Sequence, residues 1–159
     1  MKVNQIKVLL FISAFYAGNN YIESEDFMQN NAYGFGKKIP LPYLEAIEKT
    51  KAALKEQGFG ILTEIDMKKT LKEKRGVDFR PYIILGACNP PLAHQALTAE
   101  LDVGLLLPCN VIVYEDEGGS MVKVMDPEAA LSVVDVPELA DMAKNAKSLL
   151  QKAIDSLPD

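Results

Sequence analysis

The chain has 159 residues, 48% of them hydrophobic, with a formal net charge of −5 and a pI near 5.0. That is enough apolar material for one domain with its own core, and the acidic balance gives nucleic acid no global attraction. With no tryptophan and few aromatics there is no evident base-stacking platform, and two cysteines are too few for a disulfide framework.

Residues 1–30 read as a leader and linker, and residues 31–159 as a single domain. Lys2 and Lys7 precede the apolar run Val8–Ala17, the layout of a short export signal, although Phe15 is bulky for the position before a cut at Ala17. The run is too short for a comfortable membrane span. Two other readings stay open: a start at Met28, or an N-terminal element packed on the domain. Export to the periplasm follows from the first, a cytoplasmic protein from the second. No stable membrane insertion is expected unless the leader is retained as an anchor.

The domain opens with a strand over residues 31–39. Pro40 and Pro42 then start a helix whose apolar stripe includes Leu44, Ile47 and Leu54 and which stops at Gly58. A strand follows over Phe59–Ile65. Asp66 is placed to cap a short basic helix, Met67–Lys74, ended by Gly76. Pro81–Ala87 is a buried strand, and Pro90-Pro91 starts a helix over Leu92–Glu100 with Ala93, Ala96 and Leu97 inward. Pro108 interrupts the apolar stretch Val103–Tyr114, so its first half reads as a bulge, edge or turn and Asn110–Glu115 as strand. Gly118 and Gly119 suit a hairpin turn into Met121–Met125. Asp126-Pro127 caps a short helix, and Pro137 opens a final one with Leu139, Met142, Ala143, Ala146, Leu150 and Ile154 on one side. The order β-α-β-α-β-α-β-β-α-α predicts an α+β fold: a mostly antiparallel sheet with helices on one face.

Candidate chemistry concentrates in two Cys-Asn pairs, Cys88-Asn89 and Cys109-Asn110, with the single histidine, His94, between them. Cys88 followed by Asn-Pro-Pro stands at a helix N-terminus, where the dipole favours a thiolate; the competing role is that of a small buried hydrophobe. Cys88, His94 and Cys109 are three candidate metal ligands, with Glu64, Asp66 or a water as a fourth, but the zinc spacing C-x-x-C is missing. A Cys88–Cys109 disulfide requires neighbouring strands. Cys88 with His94 as base and an asparagine as orienter is the enzymatic version. Arg80-Pro81-Tyr82 is a candidate anion grip. Glu64 and Asp66 read equally as paired carboxylates or as a solvated edge and a cap. Gly34-x-Gly36 and Gly58-x-Gly60 lack the context of a phosphate loop.

Five stretches, Gly58–Asp66, Leu71–Lys74, Gly76–Tyr82, Leu85–His94 and Gly104–Val111, resemble the bacterial domain-of-unknown-function family 302 in order and spacing. The resemblance runs from about Tyr33 into the last helix. It implies a small α+β domain of TBP-like β-α-β(n)-α topology, a homodimer, and no established activity. The leader before Met28 departs from the family's shorter cytosolic members.

Together these readings predict a homodimeric small-ligand or metal-responsive binding module around Cys88, Asn89, His94, Cys109 and Asn110, with a metal ion as the candidate cofactor. The alternatives are a thiol-dependent enzyme or redox protein using Cys88, and a structural dimerisation domain. Whether the chain is an enzyme stays open at this point.

Overall fold

A computed structural model describes residues 31–159, so the signal-like run and Met28 lie outside the described residues. The elements are β1 (Gly34–Ile39), α1 (Tyr43–Glu56), β2 (Gly60–Asp66), α2 (Met67–Arg75), β3 (Tyr82–Cys88), α3 (Pro90–Ala99), a 3-10 helix (Leu101–Leu106), β4 (Cys109–Asp116), β5 (Gly119–Met125), α4 (Pro127–Leu131) and α5 (Pro137–Asp155). They form an α+β fold around one five-stranded sheet of order β1-β5-β4-β3-β2, antiparallel at every pairing. Strands β2 to β5 are laid side by side in chain order. β1 completes the far edge against β5, so α1 carries the chain from one edge of the sheet to the other.

Local punctuation sets the element order. Asp66 accepts the amide of Lys69 at 2.9 Å and caps α2, which ends on Gly76 in the left-handed region at φ 67°. Pro137 is the first residue of α5. In the β4–β5 hairpin only Gly118 has positive φ, at 76°. Gly119 is needed for a different reason: a Cβ there would collide with the carbonyl oxygen of Ile39. Ahead of β4, the interruption at Pro108 takes the form of the 3-10 helix and a cis Leu107–Pro108 bond.

Strand alternation divides the sheet into two faces. Val111 lies opposite Leu85 and Val124, and Val113 opposite Ile83 and Val122, all buried. Ile47 and Leu54 of α1 and Leu150 and Ile154 of α5 close over this face in one cluster. Each such side chain stabilises the fold by about 1.5–3 kcal/mol relative to exposure.

Not every helix lies on that face. Ala96 of α3, Val103 of the 3-10 helix, Leu131 of α4, and Leu139 and Met142 of α5 form a second cluster. The long helix α5 thus serves both, its first half in the second cluster and its second half on the sheet. Two expected core residues are exposed. Leu44 is 73% exposed because the buried stripe of α1 begins only at Ala46. Leu97 is 37% exposed because Ala96 takes the inward position of α3, and the next residue is turned about 100° away.

Candidate functional site

The two Cys-Asn pairs fall at one end of the sheet. Cys88 is the last residue of β3 and Cys109 the first of β4, where Ala87 lies opposite Cys109. Both thiols line a cavity of about 30 Å³ with Phe59, Leu92, Leu107 and Met142. That volume holds a water or two, far below the 300–1,000 Å³ typical of ligand pockets. Burial, and then the neighbouring Cys88, push the Cys109 thiol up to about 11. Burial also raises Cys88, so desolvation outweighs the helix N-terminus and both groups remain neutral thiols near pH 7. Both cysteines are free.

The other members of the set go elsewhere. The Asn89 side-chain oxygen accepts the Leu92 amide at 3.3 Å, capping α3, while its Nδ2 donates to the Gln57 carbonyl at 3.5 Å. Asn89 therefore ties the end of α1 to the start of α3. His94 is on the exposed side of α3. Among the described residues no group of three His, Cys, Asp or Glu side chains is arranged to hold a metal ion. Of the candidate set Cys88, His94 and Cys109, the two half-buried thiols share a cavity while the histidine faces outward. Glu64 pairs with Lys51 at 2.8 Å and Asp66 is occupied as a cap, so these carboxylates are structural.

Asn110 behaves differently. It follows Cys109 on β4, so alternation turns it to the face opposite Val111 and the helices α1 and α5. Ile112 and Tyr114 share that face, with Tyr82 directly opposite Tyr114 and Lys123 opposite Ile112. These residues floor an open groove of about 980 Å³, closed at its sides by segment 31–33, by Phe79 and Arg80, and by Ala129 and Ala130 of α4. The Tyr82 and Tyr114 rings are stacked with centroids 5.4 Å apart and planes 4° from parallel. Phe79 tilts against Tyr82 at 6.1 Å, and the Arg80 guanidinium lies 5.9 Å from the Tyr114 centroid. Desolvation is the main cause raising both phenols, aided by Tyr114 and Tyr33 at Tyr82 and by Asp116 at Tyr114. Both therefore stay protonated as hydrogen-bond donors across the neutral range.

The family model described as "Domain of unknown function DUF302" matches residues 35–157. The chain belongs to this family. A crystal structure of an uncharacterized conserved DUF302 protein from Bacillus stearothermophilus is similar at a TM-score of 0.72 and 31% identity. The alignment covers 77% of this chain and 95% of that one. No curated protein matches.

Of the five ligand-binding candidates in this DUF302 domain, only Asn110 lines the ligand-sized groove. Cys88 and Cys109 come together, but around a cavity too small for a ligand; Asn89 is committed to a helix cap, and His94 joins neither site. Arg80 and Tyr82, read as a candidate anion grip, do line the groove. Ile112, Tyr114 and Lys123 were missed. The available signal was the period-two series Asn110, Ile112, Tyr114, interleaved with the core residues Val111 and Val113.

Proposed function

We propose that this domain binds a small organic molecule, without transforming it, in the groove on the sheet face opposite α1 and α5. The observation that carries the reading is an aromatic floor in a groove of about 980 Å³, against about 30 Å³ between the thiols; a depression of about 890 Å³ beside the β4–β5 turn is lined instead by Glu115, Asp116 and Glu117. Weighing against a thiol-dependent enzyme are the upward shifts of both cysteines and the exposed position of His94. The test is a fragment screen by amide-resolved NMR on the full chain. Fragments should move the resonances of Ile112, Tyr114 and Lys123. Hits confined to Cys88, Leu92 and Cys109 would return the site to the thiols.

Homodimerisation is proposed alongside it, through the β2 edge. β2 is an outer strand on which every residue but Ile61 is exposed, with Leu62 65% and Ile65 44% open to solvent. Glu64, Asp66 and the register shift between Ile61 and Thr63 blunt this edge, so the apolar contact open to a second copy is that of Leu62 and Ile65. Leu62→Glu should shift the sedimentation equilibrium toward monomer. A wild-type chain that stays monomeric at 100 micromolar (roughly the top of a practical concentration series,) removes the proposal.

A further inference from the structure

Resting on the groove reading above, we infer that the ligand is an aromatic carboxylate, its rings over Ile112 and beside the Tyr82–Tyr114 stack, its anion held by Arg80 and the phenols. Three observations converge on this class.

The first is charge. In a chain of net charge −5, Arg80 stands on the groove wall and the described lining residues include no carboxylate. Asp116 is felt by Tyr114 and by Arg80, but its first partner is Lys38 at 3.2 Å, so it offsets the guanidinium charge only in part.

The second is donor supply. Arg80 uses one of its N–H groups in a long 3.4 Å contact to the Glu115 carbonyl and has no carboxylate within ion-pair distance among the described residues. A guanidinium presents five donors in a planar fork matched to a carboxylate. The phenols of Tyr82 and Tyr114 have no hydrogen-bond partner among the described residues and, remaining protonated, add O–H donors beside it. Amide and phenol oxygens of the lining can accept as well as donate, but the guanidinium only donates and no described lining carboxylate balances it, which favours an anion over a cation.

The third is shape. From Asn110 to Tyr114 the strand advances about 13 Å, the reach of a two-ring body with one carboxylate. Along that length lie Ile112 and the aromatic side chains of Tyr82, Tyr114 and Phe79. Gly36, opposite Lys123, carries no side chain that would compete with the lysine stem for this face.

The experiment titrates the full chain with 2-naphthoate and with its neutral counterpart 2-naphthamide, followed by NMR shifts and calorimetry. Naphthoate should bind about tenfold more tightly than the amide, the increment of one charge-assisted contact. Arg80→Gln should remove that preference, weakening naphthoate by about tenfold more than naphthamide. Tyr114→Leu, which keeps an apolar side chain of moderate size, should weaken both ligands. Equal affinity for acid and amide, or a loss in Arg80→Gln that is the same for both, overturns the carboxylate class while the groove reading stands. If no ligand, charged or neutral, moves the groove resonances, both fall. Naphthoate affinity that drops as protein concentration rises assigns this face to a second copy, and cross-relaxation between residues 8–17 and Tyr114 in the ligand-free chain assigns it to the amino-terminal segment; either result overturns the proposal.

Discussion

Replacing Asn89 with alanine separates the two Cys-Asn pairs by role. The change deletes the oxygen that accepts the Leu92 amide at 3.3 Å and the nitrogen that reaches the Gln57 carbonyl at 3.5 Å. Loss of an Asn cap costs about 1 kcal/mol, and the second contact is long enough to add only a few tenths. The sum, about 1–1.5 kcal/mol, lowers the thermal midpoint by about 3–6 °C for a domain of this size. Asn89→Asp keeps the acceptor and places a negative charge at the helix N-terminus, so it should recover most of the loss. Asn110→Ala, at an exposed strand position with no capping duty, should change stability by less than about 0.5 kcal/mol. Urea unfolding followed by circular dichroism measures all three, with naphthoate titration in parallel. Asn89→Ala should bind as the wild type does, whereas Asn110→Ala should bind more weakly. An Asn89→Ala protein of unchanged stability but impaired binding would refute the assignment of Asn89 to the scaffold.

Three further outcomes follow from the packing and the thiols. A Cβ at Gly86 would collide with Thr63 Oγ1 and lie 2.8 Å from Pro108 Cγ, so Gly86→Ala should destabilise by about 1–3 kcal/mol. The double variant with Thr63→Ala should cost less than the sum of the two single changes, and strict additivity would dismiss the contact. Leu150→Ala, at a fully buried position shared by α5 and the sheet, should cost about 2–5 kcal/mol in the same denaturation assay. Cys109 retains its proton longer in the folded than in the unfolded chain, about 11 against about 8.5. Between those values the native state holds more protons, so stability falls as pH rises, with a limiting slope of about 1.4 kcal/mol per unit from this thiol. Cys109→Ala should flatten that slope, and neither native thiol should alkylate rapidly with iodoacetamide at pH 7.5; fast labelling of Cys88 would revive the thiol chemistry.

The order of elements was legible because each boundary carries its own local chemistry. Asp66 and Gly76 bracket α2, Asn89-Pro90 starts α3, Gly118 turns the hairpin, and Pro137 starts α5. These are signals within a few residues of the feature they specify, and the α+β class followed from their sequence. Which residue meets which across the sheet is not written locally, and the reading from sequence alone could not supply it. Two identical dipeptides were taken as one chemical unit. The strands place them out of phase: Cys88-Asn89 straddles the end of β3 and the cap of α3, while Cys109-Asn110 lies within β4. One residue of phase therefore turns one asparagine into a scaffold bond and the other into a groove wall.

The groove itself has no motif because its members come from separate segments: Tyr33, Arg80 and Tyr82, Asn110 to Tyr114, Lys123, and α4. What the sequence does hold is a conflict of pattern on β4. The core-facing positions Val111 and Val113 are fully buried, as a half-covered strand requires, yet the alternate positions carry Ile112 and Tyr114 instead of charged residues. A face meant only for water has little use for an isoleucine between an asparagine and a tyrosine, with a second tyrosine stacked on the neighbouring strand. In the proposed complex, a bound ring over Ile112 would supply apolar contact that the unliganded face lacks, and Arg80, held over the Tyr114 ring, would give that contact its sign preference. On the proposed binding, selectivity would reside in one side chain and general affinity in the others, which is why Arg80→Gln and Tyr114→Leu should fail in different ways.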